Sequence, residues 1–262
     1  MSAPEWEFRQ PQATLATDAC SAVLNVDEPS RGIRKVRLHE HPLPGHLLGV
    51  GAIGLATPTL DEVSVAASDV NTLQRVDAYQ RLGDIVASYE GGSPGEVRKQ
   101  IYWRALPTRS PSALAAFELV VSLQTQLLDL YPTVEVTTTL PAHSLWQLAE
   151  LEEPKLQQLR LKKGDRLKIE AGARPSCFLV RLPGHAYSYA EMLPPADFHA
   201  AQMHFATSGQ LQIRQHIAAG RLEKGVIRRA RVRGVFLPRR RDASAAIAWY
   251  RDLLASPLPL TA

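Results

Sequence analysis

An antiparallel β-sandwich is the fold class the sequence predicts, on three observations. Apolar and polar residues alternate with a period of two along most of the chain, the pattern of strands with one buried face. Segments with helical spacing are few and short. Glycine and proline concentrate between the alternating runs, where reversals of direction need them. Many strands with little helix between them point to an all-β sandwich or barrel rather than an α/β or helical fold.

The elements follow in order. Thr14 to Asn25, Ile33 to His39 and Leu47 to Leu55 read as strands. Asp84 to Glu90 and Gln100 to Ala105 form two more, joined through Gly91-Gly92-Ser93-Pro94-Gly95, a strong hairpin signal. Ala115 to Gln124 puts Phe117, Leu119, Val121 and Leu123 on one face and Glu118, Ser122 and Gln124 on the other. Thr133 to Leu140 repeats this, with Val134, Val136 and Leu140 opposite Glu135, Thr137 and Thr139. A short helix is expected from Ser144 through Leu148, stopped by Pro154. Leu167 to Glu170, Cys177 to Leu182 and Gly184 to Met192 return to strand, and Asp197, His199 and His204 fall on a loop. Leu211, Ile213 and Ile217 alternate with Gln212, Arg214 and His216, and Val226 to Leu237 is the last strand. Asp242 is the expected N-cap of a C-terminal helix carrying Ala246, Ile247, Tyr250, Leu253 and Leu254 at helical spacing, ended by Pro257 and Pro259.

The chain of 262 residues is long enough for one large domain or two small ones. With this many strands, a single sandwich over residues 1–262 fits better, and the charged stretch Glu150 to Asp165 is where an internal joint would fall. Apolar residues make up 45% and charged residues 21%, which excludes wholesale disorder. No apolar run is long enough for a spanning helix, and the first residues lack a signal-peptide layout, so no membrane role is expected. Two distant cysteines, Cys20 and Cys177, make no disulfide scaffold and suit a cytoplasmic location. Cys177, among Phe178, Leu179 and Val180, reads as core.

The formal charge of +4 is unevenly placed. Between Arg221 and Arg241, eight arginines and Lys224 stand against Glu223, a net +8 that leaves −4 for the remainder. Arg229, Arg231 and Arg233 share one strand face, a row suited to phosphates or an acidic polysaccharide. Nucleic acid is disfavoured, because its readers present broader basic surfaces with interleaved aromatics.

The most informative row is His185, Tyr187, Tyr189 and Glu191, four alternate positions of one expected strand. Aromatic faces cover the apolar side of a sugar ring, while carboxylate and imidazole bond hydroxyls and move protons. The same row also suits tyrosines packed under a loop. Gln100, Tyr102 and Arg104 share a side of their strand, and Arg104 has the bidentate reach for a sugar carboxylate. His39-Glu40-His41 places two imidazoles at alternate positions, but the rigid Pro42-Leu43-Pro44-Gly45 follows where a further ligand would belong, so no metal is expected. Leu-Pro-Gly-His occurs twice, ending at His46 and at His185, as two turns.

The length, the antiparallel strands throughout and the polar aromatic residues on strand faces resemble the galactose-mutarotase-like supersandwich. The stretches Gln100 to Arg104 and Leu222 to Arg231 are otherwise similar to bacterial proteins without an assigned role. The resemblance implies carbohydrate handling, either binding or isomerisation without cofactor. In an epimerase-type site, Glu191 would take the anomeric hydroxyl proton and His185 would protonate the ring oxygen. Tyr187, Tyr189, Arg104 and Arg231 would bind the saccharide, acidic or neutral. The alternative is a non-enzymatic interaction protein that holds an acidic partner on its arginine-rich strand. Whether the tyrosine and arginine rows converge on one pocket separates the two.

Overall fold

The computed structural model describes residues 4–55, 74–91, 97–108, 113–150, 152, 154–172 and 175–259. Three short strands, β1 (Trp6–Arg9), β2 (Gln12–Ala16) and β3 (Cys20–Asn25), form a meander. A single turn of 3-10 helix leads to β4 (Ile33–Leu38), β5 (His41–Pro42) and β6 (His46–Leu55). A second meander runs through β7 (Gln74–Arg81), β8 (Asp84–Gly91), β9 (Val97–Leu106) and β10 (Ala115–Thr125). Then come β11 (Asp129–Leu130), β12 (Pro132–Pro141), β13 (Ser144–Leu148), β14 (Leu156–Leu159) and β15 (Arg166–Glu170). The last strands are β16 (Cys177–Arg181), β17 (Tyr187–Met192), β18 (Phe198–Phe205), β19 (Gln210–Ile217), β20 (Leu222–Glu223) and β21 (Ile227–Pro238), before helix α1 (Asp242–Ala255).

Two large antiparallel sheets face each other. Sheet A has the order β1-β2-β3-β4-β6-β12-β19-β18-β15, with β5 beside β4. Sheet B has the order β14-β13-β16-β17-β21-β10-β9-β8-β7, and β11 pairs separately with β20. The alternation read from sequence builds the core directly. Phe117, Leu119, Val121 and Leu123 of β10 pack with Val134, Val136 and Leu140 of β12 and Ile213 of β19 in one apolar cluster. Each such fully buried side chain contributes about 1.5–3 kcal/mol. On the outer side of sheet B, α1 lays Ala246, Tyr250 and Leu253 over Cys177, Leu179, Ala190, Met192, Val235 and Leu237.

Several expected elements differ. Thr14 to Asn25 is two strands, because Thr17 folds the chain back. Its amide donates to the Cys20 carbonyl (2.8 Å), and its hydroxyl accepts from the Cys20 amide (3.0 Å). Ser144–Leu148 is a strand, not a helix. Pairing with both β14 and β16 supplies backbone partners on either side, and tertiary context overrides the local capping signal. The expected loop holding His199 and His204 is β18, whose period is broken by a bulge between Phe198 and Ala200. The glycine-rich hairpin turn lies outside the described residues, but β8 and β9 pair from Ile85↔Trp103 to Gly91↔Val97. Helix α1 begins at Asp242 with Arg241 at the cap position. The stretch Glu150 to Asp165 contains β14 and the turn into β15, edge strands of sheets B and A.

One core residue is a cation. Lys99 on β9 takes the inward face, fully buried, and its Nζ donates to the Gly51 carbonyl of β6 at 2.6 Å. Burial pushes its amine down to about 7. Between about pH 7 and about pH 10.5 the unfolded chain holds a proton on this amine that the folded chain does not. Folded stability therefore rises with pH across that window, by at most about 1.4 kcal/mol per unit, and the term is flat below it. Lys99→Met is expected to remove this slope. Urea unfolding at about pH 7 and about pH 9.5 should show wild type gaining on the variant at the higher pH.

Candidate functional site

Side chains of β12, β19, β18 and β15 that do not enter the core point to the outer face of sheet A. Register sets Glu135 opposite His216, Thr137 opposite Arg214 and Thr139 opposite Gln212. Gln202 then lies opposite Arg214, and His204 opposite Gln212. Lys168 follows opposite Gln202, and Arg166 opposite His204. His46 of β6 extends the last row beyond Thr139. The result is a continuous polar surface crossing five strands, half-buried along β12 and β19 and exposed at β15.

Its geometry is partly fixed from within. Thr137 Oγ1 donates to Glu135 Oε1 at 3.1 Å, and Arg214 Nε approaches the same oxygen at 3.4 Å. Arg214 Nη2 donates to Gln212 Oε1 at 3.2 Å. Beside them, Arg166, Lys168, Gln202, His204, Gln212 and Arg214 border a hollow of about 320 Å³. That is the size of a small ligand site. Burial lowers the pKa of His216, helped by Arg214, His199 and Lys168 against the opposing pull of Glu135. Burial also lowers His46, with Arg34 and Arg31 adding to it. Both imidazoles are therefore neutral at pH 7. A carboxylate, neutral imidazoles, and amide and guanidinium donors on one face can accept and donate bonds to a hydroxyl-rich ligand.

The residues singled out in the sequence sit elsewhere. Tyr189 and Glu191 point inward and are fully buried between the sheets. Glu191 Oε2 accepts from Thr138 Oγ1 at 2.5 Å and Tyr189 Oη at 2.9 Å, and Oε1 accepts from Gln215 Nε2 at 2.6 Å. Thr138 Oγ1 accepts the Leu48 amide at 3.0 Å, and Gln215 Oε1 accepts from Ser176 at 3.2 Å. Burial raises the Glu191 pKa, partly offset by its three donors. Gly234 faces Glu191 across the β17–β21 ladder, and a Cβ there would stand 2.2 Å from Tyr189 Oη. The tyrosine therefore occupies the space that a side chain at 234 would need. Glu191 in this setting is a structural tie between sheets, out of reach of a ligand.

The expected strand row is also shorter. Gly184 has φ +67°, and His185 lies in the turn before β17. His185 meets His41 with ring centres 5.7 Å apart, and Tyr187 meets His39 at 6.0 Å. Arg104 and Arg231 lie on the opposite, outer face of sheet B. Arg104 binds Asp84 (2.9 Å) and Glu118 (2.8 Å). Glu118 also pairs with Arg233 at 2.8 Å, and Arg233 reaches Asp252 of α1 at 2.7 Å. Arg231 donates to the carbonyls of Leu253, Ser256 and Pro257, capping the end of α1. Arg231 and Arg233 are each 4% exposed, so these two of the row fasten the helix rather than facing solvent, while Arg229 is half-buried. The tyrosine and arginine rows thus occupy opposite sides of one sheet and do not converge.

Glu135, Arg214, His216 and Gln212 went unremarked as a site, although their strands showed them as polar faces. The sequence carries no sign that β12 and β19 are neighbours, and their adjacency makes the surface. Burial pushes both cysteine thiols up to about 12, so neither is a ready nucleophile. Among the described residues no three metal-ligating side chains cluster, and no helix is long and apolar enough to cross a membrane.

Two large antiparallel sheets closed over one core, with a polar outer face, resemble the galactose-mutarotase-like supersandwich at the level of fold. Solved structures agree. A protein assigned as an aldose 1-epimerase from Klebsiella pneumoniae superposes with a TM-score of 0.58 at 8% identity, covering 96% of this chain and 87% of that one. An alpha-galactosidase from Lactobacillus brevis gives 0.56 at 10% identity, over 92% of this chain and 42% of that one. The galactosidase domain of an alpha-galactosidase-sucrose kinase gives 0.52 at 8% identity, over 89% and 42%. The chain thus spans about two fifths of the galactosidases and most of the epimerase. No protein-family model and no curated protein matches the sequence.

Three outcomes follow for the buried groups. Glu191→Ala leaves three donors without an acceptor and is expected to cost about 3 kcal/mol or more. Gly234→Ala should destabilise by displacing Tyr189, and urea midpoints measure both. Arg231→Ala should raise amide hydrogen exchange selectively in the last turn of α1, whose carbonyls lose their cap.

Proposed function

We propose that the protein handles a saccharide on the outer face of sheet A, with Glu135, Gln212, Arg214 and His216 as its contacts. The observation that carries this reading is the half-buried row that register assembles there, with Glu135 directly opposite a neutral His216. The fold supports it, since its structural neighbours are named as an epimerase and galactosidases. Polar and charged side chains dominate the face, so recognition rests on hydrogen bonds and charge. Arg166, Lys168 and Arg214 around the hollow favour an acidic saccharide over a neutral one.

The reaction suited to these groups is exchange of anomers without a cofactor. Glu135 takes the proton of the anomeric hydroxyl. The N–H of neutral His216 bonds the ring oxygen as the ring bond breaks, and the proton held by Glu135 passes to that oxygen to give the open-chain hydroxyl. The carbonyl rotates, and the ring closes as the other anomer with the proton returned. Arg214 Nε, 3.4 Å from Glu135 Oε1, helps hold the side chain in place.

Magnetisation transfer between anomer signals tests the reading with galacturonate and galactose. Wild type is expected to exchange galacturonate faster than buffer and to bind it more tightly than galactose. Glu135→Gln should lower the exchange rate about 100-fold, and Arg214→Ala should weaken galacturonate binding about tenfold. The absence of both binding and exchange above buffer with either sugar would refute it.

A further inference from the structure

The rim where the two sheets meet holds a second feature. His41 belongs to β5 of sheet A, and His185 to the turn before β17 of sheet B. They are 144 positions apart in sequence, and their ring centres stand 5.7 Å apart at an interplanar angle of 62°. Sequence spacing had paired His39 with His41, but β4 ends at Leu38 and His39 turns away with φ +51°. His39 instead meets Tyr187.

Both backbones are held. Pro42 follows His41 and restricts it to extended conformations. Arg239 Nη2 donates to the carbonyls of Leu182, His185 and Tyr187, clamping the turn that carries the second ring. His41 is exposed, so its ring can turn without loss of packing.

We propose that His41 and His185 form a two-imidazole site for a divalent transition ion of the zinc or nickel class. An ion about 2.1 Å from one nitrogen of each ring lies about 3.2 Å from each ring centre. Centres 5.7 Å apart then subtend about 125° at the ion, a spread open to four-coordinate geometry. Imidazole is the ligand these ions favour. Two positions on the ion stay with water or a small anion, because no third ligating side chain joins the pair among the described residues. A bound ion would link the β4–β5 hairpin of one sheet to the β16–β17 turn of the other.

Calorimetric titration of the metal-free protein with Zn²⁺ tests this, with thermal unfolding as a second readout. Wild type is expected to bind one ion that raises its Tm, since the ion binds the folded chain. His41→Ala and His185→Ala should each weaken that binding by at least the about tenfold typical of losing even an outer-shell partner. Each should also abolish the Tm rise, with metal-free Tm unchanged. His39→Ala should bind as wild type does. No binding by wild type, or binding left at wild-type strength by either His41→Ala or His185→Ala, would overturn the proposal.

Discussion

The carboxyl of Glu191 is the constraint around which the two sheets are matched. A carboxyl buried without partners costs several kcal/mol, so it is tolerated only where donors converge on it. Those donors come from Thr138 on β12, Gln215 on β19 and Tyr189 on its own strand, so both sheets must be in one relative position. A slip of one residue in any of the three strands would turn a donor out of the core. Gly234 completes the fit by having no side chain where Tyr189 must lie. The polar row on the outer face inherits its order from this register. Thr137 and Thr139 flank Thr138 along β12, with Glu135 two positions before Thr137 on the same face, and Arg214 and His216 flank Gln215.

Sheet B is organised by a similar logic on its other side. Two arginines of the basic segment, with Arg181 from β16, are committed to one helix. Arg233 joins Glu118 to Asp252, Arg231 closes the end of α1, and Arg181 with Ser188 holds Asp242 at its start. Trp249 lies against the Arg233 guanidinium, with a ring distance of 5.7 Å, and completes the seam. Part of the net +8 is therefore turned inward, where planar guanidinium groups serve as connectors, while Arg221, Lys224, Arg240 and Arg241 stay exposed.

Most of the fold was legible because alternation is a local signal that burial enforces. β12 and β19 show it most cleanly, while β10 and β21 keep it only in part because both their faces are covered. β7 was missed because an edge strand exposed on both faces has no alternation to read. β18 was missed because a bulge shifts its period midway. The site was less legible. The row from His185 to Glu191 had a plausible composition for a sugar pocket, but period two says only that residues share a face. It does not say whether that face meets water or the opposite sheet. Burial of Tyr189 and Glu191 is decided by Thr138 and Gln215, about 50 and 24 positions away.

Helix α1 lies across one exterior of the sandwich and has no counterpart among the described elements on the other. The two outsides are thereby made unequal. One is covered in part, with β16, β17 and β21 beneath a helix and several of its charges paired. The other is bare sheet, with its register displayed directly to solvent. Each substitution along β12 or β19 at an outward position therefore changes the exterior one tile at a time and leaves the inward pattern alone. Such a molecule has a front and a back, and its front can vary while its back keeps the fold.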